Sequence, residues 1–152
     1  MKLDYKEAYY KKNFENERNQ LKFQLLMQWI KLKKINIQFE EFFIDQEVHH
    51  IAIYGMGDLG QLFIDELKDT VAVKVEYGID KNSCASVSGV KVFTLDNVPY
   101  DVDAIIISPV LVSDEIEDEI YEKLGEVKTF TIEEVLYELS RKYDIKSQLW
   151  KI

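Results

Sequence analysis

Cysteine, histidine, proline and glycine are all scarce in this chain, and each shortage closes off a class of chemistry or architecture. Cys84 is the only cysteine, so one chain can build neither an internal disulfide nor a cysteine-based zinc cage. Nothing near it in sequence would lower its pKa, and a half-buried loop thiol is expected. The two histidines, His49 and His50, are adjacent just ahead of an apolar strand. Strand neighbours point to opposite faces, so the pair is not expected to share a metal ion, and no metal site is expected elsewhere. No run of about 18 apolar residues is present to span a bilayer, and the first residues show neither an apolar signal core nor a small-residue cleavage site. A cytoplasmic protein without a transmembrane segment is the resulting expectation. Proline occurs only at Pro99 and Pro109, and three of the six glycines fall within residues 55–60.

What is present is the composition of one globular domain: 152 residues, 47% hydrophobic and 31% charged. The net charge of −9 is unevenly spread. Residues 1–34 hold nine Lys or Arg and four acids, a net +5, against ten and twenty-four in residues 35–152, a net −14. An acidic body argues against nucleic-acid binding, which needs clustered cations to neutralise phosphates. The first thirty-odd residues read as a separate module. From Tyr5 to Lys34 there is no Gly or Pro, and Phe14, Leu21, Leu25, Leu26, Trp29, Ile30 and Leu32 recur at roughly helical spacing, which predicts one long helix. Its first half is polar, with Tyr5, Tyr9 and Tyr10. Its apolar second half needs a partner surface, either the following domain or another copy of the chain. Phe39, Phe42 and Phe43 predict a short second helix, and the chain divides into a helical extension, residues 1–46, and an α/β domain, residues 47–152.

From His49 onward strand and helix patterns alternate. Strands are predicted at 50–54, 71–79, 90–93, 103–108 and 127–130, with helices at 58–68, 113–124 and from 131 to about 142. Residues 81–89 (KNSCASVSG) are small and polar and read as a loop. Ser113 is the expected cap of the second of these helices, and Thr131 with Glu134 forms a capping box opening the last. Alternation implies parallel strands joined by crossovers. The simplest solution is a five-stranded parallel sheet in the order 3-2-1-4-5, a Rossmann-like α/β fold with a ligand crevice beside the first strand, where the order reverses. Leu149 and Trp150 are expected to order the tail, since exposing both would be costly.

The most informative stretch is Ile51-Ala-Ile-Tyr-Gly-Met-Gly-Asp-Leu-Gly60, an apolar strand running into a glycine pattern and then into a helix. Gly55 would make the tight turn, Gly57 would leave room for a pyrophosphate, and Gly60 would let helix and strand pack closely. With Met56, Asp58 and Leu59 these residues place free backbone N–H groups at the positive end of a helix, where anions bind. Asp58 is discordant, because a carboxylate aimed at the phosphates would weaken that binding. Asp80 ends the second strand, twenty residues after Gly60, where an acid accepts hydrogen bonds from ribose hydroxyls and disfavours NADP relative to NAD. Lys81 beside it complicates that preference, and a carboxylate there also suits the capping of a turn. Ser108 and Pro109 end the fourth strand on the same edge and would line the crevice. A small-molecule nucleotide, NAD or a UDP-sugar, is the expected ligand.

No catalytic set accompanies this loop. Tyr77 and Lys81 have the spacing of the short-chain dehydrogenase pair, which requires a helix, whereas here they lie across a strand end. Acids such as Asp114, Glu115, Glu117 and Glu119 read as a solvated helix face. The chain also ends soon after its fifth strand, without the second set of elements that usually encloses a substrate.

By residues 51–60 together with Tyr77-Gly-Ile-Asp-Lys-Asn82, Gly89-Val-Lys-Val-Phe93 and Asp103-Ala-Ile-Ile-Ile-Ser108, residues 48–140 resemble the Rossmann-like nucleotide-binding domains of bacterial nucleoside-diphosphate-sugar epimerases and dehydratases, and of sugar-nucleotide acyltransferases, in surface polysaccharide biosynthesis. The resemblance implies NAD(P) or a UDP-sugar held by Gly55, Gly57, Gly60 and Asp80. The catalytic Tyr/Lys helix of the epimerases and the hexapeptide repeats of the acyltransferases are missing. The expected function is a nucleotide-binding module in or beside polysaccharide assembly rather than a complete enzyme. Two alternatives stay open: an NAD-dependent nucleoside-diphosphate-sugar epimerase or dehydrogenase completed across a dimer, and a ligand-free scaffold that docks a partner, a homo-oligomer or an anionic surface through its basic helix.

Overall fold

Strand β1 (His50–Tyr54) forms the middle of the sheet because it is apolar on both sides: Ile51 and Ile53 face one way, Ala52 and Tyr54 the other, and all four are buried. A computed structural model of the chain describes residues 2–82, 84–147 and 149–150. In it β1 pairs in parallel with β2 (Lys74–Ile79) on one side and β5 (Ala104–Ile107) on the other. β5 is buried along its whole length and pairs in parallel with β6 (Lys128–Thr131), and β2 pairs in parallel with β4 (Val90–Phe93). The fold is mixed α/β, with a mostly parallel sheet.

The expected five strands in the order 3-2-1-4-5 are corrected to six in the order β3-β4-β2-β1-β5-β6. The added strand, β3 (Cys84–Val87), lies in the segment read as a loop and pairs antiparallel with β4. Val87 faces Val90 across a two-residue turn at Ser88-Gly89, both with positive φ (51° and 83°), as a type I′ hairpin requires. The burial of the Cys84 thiol lies outside the described residues, as do the side chains of Tyr5 and Tyr9.

Two layers cover the sheet. On one face α1 (Lys2–Lys34), α2 (Glu40–Asp45), α3 (Asp58–Leu67) and α5 (Ile132–Lys142) share a core with Ile51, Ile53, Ala104 and Ile106. On the other, α4 (Ser113–Leu124) and a 3-10 turn (Leu95–Asn97) cover Ala52, Tyr54, Ile105 and Ile107. Of the two partners open to the long helix, its second half takes this domain: Leu25, Trp29 and Leu32 are buried with Phe39, Phe43 and Phe63. The Trp29 ring stands edge-on to Phe63 at 5.8 Å and donates from Nε1 to Glu66 at 2.7 Å. Gln28 and Ser140 close the α1–α5 seam with a buried hydrogen bond of 2.8 Å.

α1 ends in a Schellman motif: Asn36 takes φ 61°, its N–H donates to the Lys33 carbonyl, and Ile37 N–H donates to the Leu32 carbonyl. Lys31, Lys33 and Lys34 in the last turn suit the negative end of the dipole. The capping box of α5 is present, with Glu134 N–H on Thr131 Oγ1 at 3.1 Å and Thr131 N–H on Glu134 at 3.4 Å. Ser113, expected to cap α4, is instead its first residue; Val112 occupies the cap position and makes no side-chain hydrogen bond. In the tail, Trp150 stacks edge-on with Tyr137 at 5.4 Å and Leu149 packs on the main core. Gln148, Lys151 and Ile152 lie outside the described residues. Among the described residues no helix is long and apolar enough to cross a membrane.

Candidate functional site

The chain leaves β1 through α3 on one face and leaves β5 through α4 on the other, so the carboxyl ends of these two adjacent strands diverge. The glycine turn sits at that fork. Gly55 leaves the sheet at φ 95°, with its N–H on the Ile79 carbonyl at 2.8 Å. A Cβ on Gly60 would stand 1.9 Å from the Gly55 carbonyl oxygen, so the first turn of α3 presses directly on the turn beneath it. Ser108, buried at the end of β5, locks the same point: its Oγ lies 2.9 Å from the carbonyl oxygens of both Tyr54 and Gly55, which share its one proton. Gln61 adds a 2.8 Å bond to the Met56 carbonyl.

Gly57 differs from its neighbours. It is the cap of α3, has no side chain to offer the helix amides, and has no atom within 4 Å of where its Cβ would be. The first-turn N–H groups of a helix lack intrahelical partners, and here Gly57, Asp58 and Leu59 at the positive end of the dipole line a pocket. Asp58 itself is exposed.

Asp80 holds the turn from the opposite side. The Met56 N–H donates to one carboxylate oxygen at 2.9 Å and the Asn82 N–H to the other at 3.1 Å. Each oxygen keeps one lone pair, so Asp80 both braces the turn and can still accept from a ligand hydroxyl. The Met56 side chain covers Gly78, where a Cβ would meet its sulfur at 2.7 Å.

Two hollows flank this scaffold. A cleft of about 520 Å³ lies over the ends of β1 and β2, with Tyr54, Gly55, Asp80, Lys81 and Asn82 along one wall. Pro109 and Val112 and, from α4, Glu115, Ile116 and Glu119 form the other wall. The cleft is acidic, three carboxylates against one lysine. Burial, then Glu119 and Asp80, pushes the Tyr54 hydroxyl pKa up, so it stays a neutral donor at physiological pH. A smaller pocket of about 150 Å³ lies over Gly57, Asp58 and Leu59, bounded by Ser108, Pro109 and Val110 and roofed by Phe14, Arg18 and Lys22 of α1.

Of the residues singled out in the sequence, Gly55, Asp80, Lys81 and Pro109 line the cleft, and Gly57, Asp58, Leu59, Ser108 and again Pro109 line the pocket. Met56 and Gly60 line neither and shape the turn between them. Sequence reasoning missed the α4 wall and the α1 roof. Glu115 and Glu119 lie one helical turn apart just after a strand end, with the apolar Ile116 between them; the acids alone read as a solvated face. Tyr77 is buried and donates to the Tyr100 carbonyl at 2.7 Å, so it is not paired with Lys81 for catalysis. His50 pairs with Glu76 at 2.8 Å at the far end of the sheet, and Asp103 accepts the backbone N–H groups of both histidines at 2.9 Å.

The fold and the fork define a mixed α/β domain with a glycine turn at the carboxyl edge of a mostly parallel sheet. No family model matches the chain, and no curated protein matches it significantly.

Proposed function

We propose that the protein is a nucleotide-binding module, taking NAD or a UDP-sugar with its phosphates over Gly57 and its ribose beside Asp80, and that it serves bacterial sugar-nucleotide or polysaccharide metabolism in the cytoplasm. The observation that carries the binding reading is Gly57: an uncapped helix start, open to space, at the point where the chain's two crossovers part. The polysaccharide context rests on the resemblance of residues 51–60, 77–82, 89–93 and 103–108 alone. Among the described residues, no set in the cleft supplies a paired acid, base and nucleophile, which favours binding over turnover.

Calorimetric titration with NAD, NADP and UDP-sugars tests the reading. Wild type is expected to bind at least one at micromolar to submillimolar concentration, and Gly57→Val, whose side chain enters the open space, to lose that binding while keeping its melting temperature. Absence of binding to all of them at millimolar concentration overturns it.

A second reading has its own observation. Phe23, Met27 and Ile30 form an exposed apolar stripe on the outer face of α1, at 64%, 43% and 49% exposure. That stripe suits a protein partner or a second copy, the latter being the arrangement a dimer-completed enzyme or a scaffold would use. A sedimentation profile that is dimeric for wild type and monomeric for Phe23→Ser/Met27→Ser favours it; a monomer at all concentrations removes the homodimeric form.

A further inference from the structure

Resting on the nucleotide reading, we propose that α1 is part of the binding site: Arg18 and Lys22 clamp the ligand's phosphoryl groups against the start of α3, while the uncharged nucleoside or sugar portion lies in the acidic cleft. Arg18 and Lys22 stand four residues apart on the inward stripe of α1, in line with Leu21, Leu25, Trp29 and Leu32, which are in the core or packed against it. Cations on such a stripe are ordinarily paired. Lys33, further along α1, meets Glu66 at 3.0 Å. Neither Arg18 nor Lys22 has an ion pair among the described residues, in a body with an excess of acids, and Asp58 in the same pocket pairs with neither. The Arg18 Nε is sealed from solvent with no hydrogen-bond partner among the described residues, a costly state that is relieved when the guanidinium shifts to present its Nε–H to an anion in the pocket.

The two hollows also divide a ligand by charge. Asp80, Glu115 and Glu119 make the cleft hostile to phosphate and suited to hydroxyls, whereas the pocket offers two cations and the positive end of α3. Pro109 and Val112 border both, so a single molecule reaches from one to the other past the fork. A guanidinium and an ammonium set against backbone amides suit a pyrophosphate or terminal phosphate, not a carboxylate-free sugar or base.

The full chain is titrated with inorganic pyrophosphate, NAD and a UDP-sugar as wild type, Arg18→Gln/Lys22→Gln, Lys22→Gln alone and Gly57→Val, with circular dichroism confirming folding. Lys22→Gln serves if the double variant fails to fold. The double variant is expected to lose at least about tenfold in affinity for pyrophosphate and for the nucleotide, Lys22→Gln less, and the wild-type affinity to fall steeply with salt. Affinities equal to wild type in the folded variants overturn the α1 clamp and leave the nucleotide reading standing if Gly57→Val still loses binding. Pyrophosphate binding that depends on Arg18 and Lys22, without any nucleotide binding, supports the anion pocket and overturns the nucleotide reading. No binding of any probe to wild type overturns both.

Discussion

Gly57 and Gly60 are three residues apart and sit in opposite circumstances. At Gly60 a methyl group would overlap the Gly55 carbonyl oxygen, and neither partner can retreat, because Ser108 and Ile79 hold the turn from two sides. Gly60→Ala is therefore expected to cost about 3 kcal/mol or more, or to prevent folding, whereas Gly57→Ala, at an extended φ of −76° in open space, stays within about 1 kcal/mol of wild type. Urea denaturation of the two variants compares them directly, and equal losses would contradict this account of the turn. Glu133 offers a second residue-scale test. Burial above all, with the Glu134 carboxylate adding to it, pushes its carboxyl up to about 7 against the hydrogen bond from its own backbone N–H, and its Oε1 is buried without a partner among the described residues. A folded value above the unfolded one means the protonated form is favoured by folding. Its contribution is fully present below about pH 4.5 and is lost as pH rises through 7. Glu133→Gln should flatten that loss and leave the variant more stable than wild type at pH 8 by on the order of 2 kcal/mol, read from melting curves between pH 5 and 8.

At the scale of elements, the chain's shortage of glycine explains both what could be read from it and what could not. Three of six glycines are spent at one turn, which made β1, α3 and the turn between them legible in the sequence. Helix ends that would ordinarily carry glycine carry Asn36, Glu47 and Asp144 instead, all at positive φ and each followed by an N–H that reaches back five residues, to the carbonyls of Leu32, Phe43 and Ser140. No glycine marks these stops. Of the three, Glu47 is the poorest occupant of a left-handed position, since its side chain cannot make the local bonds that Asn and Asp make there. Glu47→Gly is expected to stabilise the protein by about 0.5 to 1 kcal/mol, and a lower melting temperature would show that the Glu47 side chain contributes more than its strain costs. The hairpin of β3 and β4 was misread for the opposite reason. Its Ser88-Gly89 turn is a sound two-residue signal, but the small polar residues of 81–89 masked a four-residue edge strand whose pairing is set by the turn rather than by apolar alternation.

At the scale of the whole molecule, charge is sorted rather than averaged, and on the proposed reading the sorting discriminates among nucleotides. Residues 35–152 carry a net −14 while α1 carries +5, and the stretch of α1 from Phe14 to Lys22 lies over the glycine turn. That the two regions differ in charge was visible in the sequence; that the basic helix would come down over the glycine turn was not, because nothing in a local pattern says which turn of a long helix meets which loop. For the proposed nucleotide the consequence is a site with one end that tolerates phosphate and one that does not. A phosphate over Gly57 meets cations, whereas a further phosphate on the ribose, as in NADP, would sit among Asp80, Glu115 and Glu119, with Lys81 the single opposing charge. At about 6 Å and an effective dielectric near 20, each such repulsion is on the order of 1 to 3 kcal/mol before screening, enough to set a preference of about tenfold or more. NADP is accordingly expected to bind at least about tenfold more weakly than NAD at 50 mM salt, with the gap narrowing at 500 mM. Glu115→Gln/Glu119→Gln should shrink it without disturbing the turn, since the Met56 and Asn82 N–H groups donate to Asp80. Calorimetry on both cofactors at the two salt concentrations gives the answer, and a salt-independent ratio near one would mean that the acidic cleft is not where the ribose lies.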